Sequence, residues 1–213
     1  MIKIMKKNLS WDDVTILDFI HIKDIVKTDE LTELEKQIEL VKILAHDDRL
    51  DDLPVAEFNK YMPLLNILLT DVPHKPMKKS YEFLGRKFNA CNKIEKITTG
   101  QYIDYSNICK TNPGLNEMSR IIGYLLIPEN GRYNVGYDMD ELCAAIEREM
   151  PITEAYGFID FFIDAQMTLF HHLRDYLIKA VLKTPAPMKT KIQMVSSLIM
   201  VGRKLKRAWH NMV

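Results

Sequence analysis

The sequence predicts a mainly α protein: a helical bundle with one small β-hairpin and a C-terminal basic helical arm. Three observations carry that prediction. Apolar residues recur at helical spacing through most of the 213 residues. Only eight glycines are present, few for an all-β chain of tight turns. The period changes once, at "KSYEFLGRKFNAC", and returns to helical spacing after Gly100. Two prolyl stretches, "DVPHKPMKK" and "TPAPMKT", then mark a bundle over 1–73, a hairpin with a helical core over 77–183 and an arm over 184–213.

"LSWDDVTILDFIHI" opens the first helix, with Ser10 as cap and Asp13, three residues on, completing a capping box. Val14, Leu17 and Ile20 supply its inner face, with Phe19 and Ile22 beside them. "DELTELEKQIELVKILAHDD" is the most regular helix, placing Leu34, Ile38, Val41 and Ala45 on one face. "LDDLPVAEFNKYMPLLNILL" makes a third, with Asp52 as cap and Pro54 where a missing N–H costs least. Pro63 removes an internal hydrogen bond and kinks or breaks that helix.

In the hairpin, near residues 79–91, Tyr81 and Phe83 alternate before Gly85, and Phe88 and Ala90 after it. Gly85 supplies the positive φ of the turn. Two strands alone are marginal, so the hairpin should cover the apolar face of the helices after Thr98. "KITTGQYIDYSNICK" is helical, with Tyr102, Tyr105 and Ile108 as neighbours. "NPGLNEMSRIIGYLLIP" is a buried helix ended by Pro128, and "ENGRYNVGYD" is turn-rich. "DMDELCAAIEREM" begins with acid, which suits a helix N-terminus. "MPITEAYGFIDFFIDAQMTLFHHLRDYLIKAVLK" is a long apolar helix with Phe158, Phe161, Phe162, Ala165, Leu169 and Leu173 on its core side and a place for a break at Gly157. Over about 190–209, Ile192, Val195, Leu198, Ile199, Leu205 and Trp209 share a face.

No constellation points to catalysis, a cofactor or a metal. Asp138, Asp140 and Glu141 lack the spacing and bend glycine of a calcium loop and fit a charged helix start. His171 and His172 are adjacent, so they diverge on a helix; metal pairs sit at i, i+4. No glycine stretch is followed by Gly-Lys-Ser/Thr. Cys91, Cys109 and Cys143 form neither a disulfide framework nor a zinc motif, which fits a reducing place of synthesis. "MIKIMKKNLSWDD" is too poor in apolar residues for a signal peptide, and no membrane span is expected. The twelve methionines suit an adaptable partner surface and an ordinary core equally.

The charge is unevenly divided. The chain is neutral in total, yet residues 176–213 carry eight Lys and Arg and no acid. That end is +8, and residues 1–175 are therefore −8. Lys and Arg favour last helical turns, which accounts for at most four of these charges. Lys189, Lys191, Arg203, Lys204, Lys206, Arg207 and Trp209 are the candidate partner-binding residues. Nucleic acid, an acidic protein and an anionic membrane surface all have the complementary sign. The acidic remainder of a second copy does too, which makes a homo-oligomer another route.

Read in order, "WDDVTILDFIHI", "EKQIELVKIL", "LPVAEFNKYMPLLNILLTDVP", "YEFLGRKF" and "KITTGQYIDY" resemble small helical proteins from the virion-assembly region of tailed phages of gut Bacteroidetes, including crAss-like phages. "LLIPENGRYNVGYD" and "MPITEAYGFIDFF" are similar too, so the resemblance covers about residues 10–165 and stops short of the basic end. "ITTGQYIDY" is its most specific fragment. The resemblance implies a non-catalytic structural ring or adaptor near the portal and tail, partnered by portal, tail or other ring proteins, or a DNA-associated protein packaged with the genome. It equally implies a tail-assembly chaperone that leaves the mature particle. Its location would be the virion, or the host cytoplasm during assembly.

Overall fold

A computed structural model of the chain describes residues 9–110, 114–185, 187–190, 192, 193 and 196. The protein is mainly α with a small antiparallel sheet, as its sequence predicts. It forms two compact units, Met1–Phe158 and Ile159–Val213.

The Ser10–Asp13 capping box forms but closes only one 3-10 turn, Trp11–Asp13, where the Asp13 carboxylate accepts from the Ser10 amide at 3.1 Å. A second box starts helix α1 (Ile16–Lys27): the Asp18 amide donates to Thr15 Oγ1, and the Asp18 carboxylate accepts from the Thr15 amide. A third, Thr32 with Glu35, starts α2 (Glu33–Ala45). This restart changes the helical phase. Val14, Ile16, Phe19 and Ile22 are buried, while the expected inner residues Leu17 and Ile20 are only half-buried. In α2 the buried stripe is Leu40, Val41 and Leu44, and Leu34 is exposed.

The expected third helix is broken into a 3-10 turn (Asp48–Asp52), one α-turn named α3 (Val55–Phe58) and a 3-10 run (Met62–Leu69). Asp47, not Asp52, caps the first piece, accepting from the Arg49 amide. Pro54 ends up as the residue before α3, and Pro63 sits in the first turn of the last piece, where its missing N–H is harmless. Leu50, Tyr61 and Val41 seal this small bundle.

Strands β1 (Ser80–Phe83) and β2 (Arg86–Ala90) form the expected hairpin, with Tyr81 opposite Phe88. Its two-residue turn has Leu84 at φ 55° and Gly85 at φ 66°, both left-handed. The sheet has a third strand, β3 (Leu126–Pro128), antiparallel to β2. The helix expected to run to Pro128 therefore stops early, as α5 (Met118–Tyr124). Pro128 disfavours helical backbone at Ile127. The edge of β2 offers unpaired polar groups that an extended "LIP" satisfies, with flanking bonds from the Cys91 amide to Leu125 O and the Glu129 amide to Lys87 O.

Helices α4 (Thr99–Lys110) and α6 (Met139–Glu149) complete the first unit, into which α7 (Ile152–Lys183) begins. α4 has its own box: Gln101 Oε1 accepts from the Thr98 amide at 3.0 Å, and the buried Gln101 Nε2 donates to Tyr124 O at 2.7 Å. Among the described side chains of α4, Gln101, Tyr105 and Ile108 are buried and Tyr102 is exposed. Asp138 caps α6, accepting from the Asp140 and Glu141 amides, so the acidic group is a helix start as read.

α7 runs unbroken through Gly157. A Cβ there would stand 2.0 Å from Lys75 O and 3.0 Å from Met77 N, so the glycine is a passage for the prolyl connector rather than a break. The connector is fastened across the start of α7. The Lys75 amide donates to Thr153 O, Lys75 Nζ meets Asp12 at 2.6 Å, Lys78 Nζ meets the buried Glu154 at 2.6 Å, and His74 stacks on Tyr156. Thr153 Oγ1 also donates to Asp12, and these two hydrogen bonds hold the Asp12 carboxyl below its ordinary pKa. Phe158, fully buried, packs on Tyr81 of the hairpin.

The second unit contains the rest of α7. Phe162 is buried, Phe161 is half-buried, and the side chains of Ala165, Leu169 and Leu173 lie outside those described. His171 is exposed. The Thr184 amide and hydroxyl both donate to Val181 O, finishing the helix. No helix among the described residues is long and apolar enough to cross a membrane.

Candidate interaction surface

Of the predicted partner-binding residues, the structure describes only Lys189. It is exposed on a helical turn over 188–190, after Pro187. Lys191, Arg203, Lys204, Lys206, Arg207 and Trp209 lie outside the described residues. The exposed residues that precede and follow Lys189 in sequence are both basic and apolar. Lys179 and Lys183 are exposed on the last turns of α7, with Tyr176 and Leu182 exposed among them. Met188 is 69% exposed and Ile192 60% exposed.

The electrostatic counterpart lies at the other end of the sequence. Residues 9–73 hold fifteen acidic and six basic residues, a net of −9. Several of these acids are committed. Asp51 and Glu39 both bind Lys42 Nζ, raising the Lys42 pKa, and Asp47 binds Arg49, which lowers the Asp47 carboxyl to about 2. Asp18 and Glu35 serve as caps. Asp24, Asp29 and Glu30, around the α1–α2 connection, are exposed and make no ion pair among the described residues. Val26, 54% exposed, and Leu34, 64% exposed, flank them on the last turn of α1 and the first turn of α2. Sequence reasoning placed the acid only in "the rest of the chain"; counting charge segment by segment would have located it in the bundle.

Burial pushes the Cys143 thiol up to about 11 and raises Cys91, the reverse of what a nucleophilic thiolate needs. Burial, followed by the hydrogen bond to Asp104, raises the Tyr133 phenol. Among the described residues no three His, Cys, Asp or Glu are placed to hold a metal ion. Comparisons with protein families, with curated proteins and with solved structures find no match to this chain.

Proposed function

We propose that the chain is a non-catalytic structural or assembly protein of a tailed-phage virion, a ring or adaptor at the portal–tail region, working through its basic end. The observation that supports this reading is the charge division: −9 over residues 9–73 against +8 over 176–213 in a chain of zero net charge. Such opposition steers and registers association. Two complementary patches on one molecule make a head-to-tail contact, which generates a ring when the rotation closes. The resemblance of the quoted stretches supplies the phage setting, with portal, tail or other ring proteins as partners.

The test is whether the protein copurifies with mature, salt-washed virions. Presence at a symmetric copy number is the expected result. Absence from particles, with tails missing when the protein is deleted, would replace the ring by a tail-assembly chaperone. The acid-free end also favours a second reading, a packaged DNA-associated protein. For that reading log K for nonspecific DNA must fall with log salt by about 0.9 per phosphate contacted, so four contacts give a slope near −3.6. Truncation after Lys183 should then abolish the slope.

A further inference from the structure

We infer that the exposed end of the α1–α2 pair is the docking surface for the basic end of a second copy of this chain; the inference rests on the ring reading and names its contact.

The apolar stripe of α2 is longer than the bundle that covers it. Leu34, Ile38, Val41 and Ala45 fall on one face by spacing, yet exposure runs from buried Val41 through half-buried Ile38 to Leu34 in the open. Val26 is exposed on the facing end of α1. Asp24, Asp29 and Glu30 lie beside them in sequence, exposed and without an ion pair among the described residues; with Lys23, Lys27 and Lys36 counted, residues 23–36 still carry three cations against five acids, a net of −2. An exposed apolar spot in a net-acidic segment disfavours nucleic acid and anionic lipid. It fits a cationic segment with an apolar side.

The basic end has that composition. Met188 and Ile192 are exposed, Lys189 is exposed beside Met188 in sequence, and no acid occurs from residue 176 onward. Further along, Arg203, Lys204, Lys206 and Arg207 add four positive charges. A second copy is the occupant because a ring needs a contact that links copies. The same end folded onto its own bundle would neutralise charge without linking anything.

The experiment uses two full-length variants. One reverses the acidic rim (Asp24→Lys, Asp29→Lys, Glu30→Lys); the other reverses the basic end (Arg203→Glu, Lys204→Glu, Lys206→Glu, Arg207→Glu). Mass is measured by sedimentation at about 0.1 M salt, where the Debye length is about 10 Å, and at about 1 M, where it is about 3 Å. The wild type should assemble at low salt and dissociate at high salt. Each variant alone should be monomeric with unchanged thermal unfolding, since the rim residues are exposed and unpaired. Mixed, the variants should assemble again with the two alternating, because the basic end of the rim variant fits the acidic rim of the other, and the acidic end of the other fits the reversed rim.

Variants that assemble like the wild type would overturn the docking surface while leaving the ring reading to the virion test. Two monomeric variants whose mixture stays monomeric would overturn pairing between copies and indicate an intramolecular contact. Loss of assembly by the basic-end variant alone would move the partner surface elsewhere. A wild type monomeric at every concentration and absent from virions would defeat the ring reading itself.

Discussion

Gly157→Ala should destabilise the protein, although Gly→Ala inside a helix ordinarily stabilises by about 1 kcal/mol. The added Cβ would lie 2.0 Å from Lys75 O, 3.0 Å from Met77 N and 3.2 Å from Lys75 C. All three are backbone atoms, so no rotamer change relieves the clash. Ordinary contact begins near 3.4 Å, and the connector would have to retreat by about 1.4 Å. That retreat strains the bond from the Lys75 amide to Thr153 O, the Lys78–Glu154 pair and the His74–Tyr156 stack. Overpacking costs about 1–3 kcal/mol, and a lost backbone hydrogen bond about 0.5–1.5 kcal/mol. After the propensity gain, a net loss of about 2 kcal/mol remains, or roughly 4–8 °C in Tm for a unit of this size. Urea unfolding followed by circular dichroism measures the loss, and hydrogen exchange at the Lys75 amide should accelerate. A variant as stable as the wild type, or stabilised by the usual helix increment, would refute the clamped-connector account.

Three further outcomes follow from local geometry. Leu84→Asn should stabilise by about 1 kcal/mol in urea, because Leu84 is a non-glycine residue at φ 55° and Asn tolerates that region better; an unchanged midpoint would count against strain at the turn. Gln101→Met should cost about 1–3 kcal/mol, since it strips partners from Tyr124 O and the Thr98 amide; a neutral result would show that neither group depends on Gln101. Stability should fall in alkali. Burial pushes Tyr81 up to about 12 and raises Tyr133, Tyr137 and Tyr156, so the fold prefers neutral phenols. This contribution is complete below the unfolded phenol pKa of about 10 and is lost as pH rises from there through about 12. Urea midpoints that stay constant from pH 9 to about 12, or phenol absorbance that titrates fully near pH 10 in the folded state, would contradict it.

What the sequence determined by itself was whatever depends on near neighbours. Helical periodicity, the alternation of Tyr81, Phe83 and Phe88 about Gly85, the acidic start of α6 and the interruption at Pro63 are all local, and each is visible in the chain; sequence reasoning misses the further break before Pro54. It also passes over the capping boxes at Thr15 and Thr32 in favour of Ser10, although their signal, an acid three residues after a threonine, is just as local. The charge division of the candidate surface needed only counting. Tertiary structure decided the rest, because the deciding partners are distant in sequence. "LIP" is apolar and suits a buried helix end or a strand, and only the open edge of β2, nearly forty residues earlier, draws it into the sheet. Gly157 looks like a helix break until Lys75 O is found against it. Leu34 belongs to a core stripe by spacing, yet the cluster of Leu50 and Tyr61 closes over Val41 further along α2, and Leu34 stays exposed. Periodicity states which face is apolar, while packing states how far along that face another element reaches.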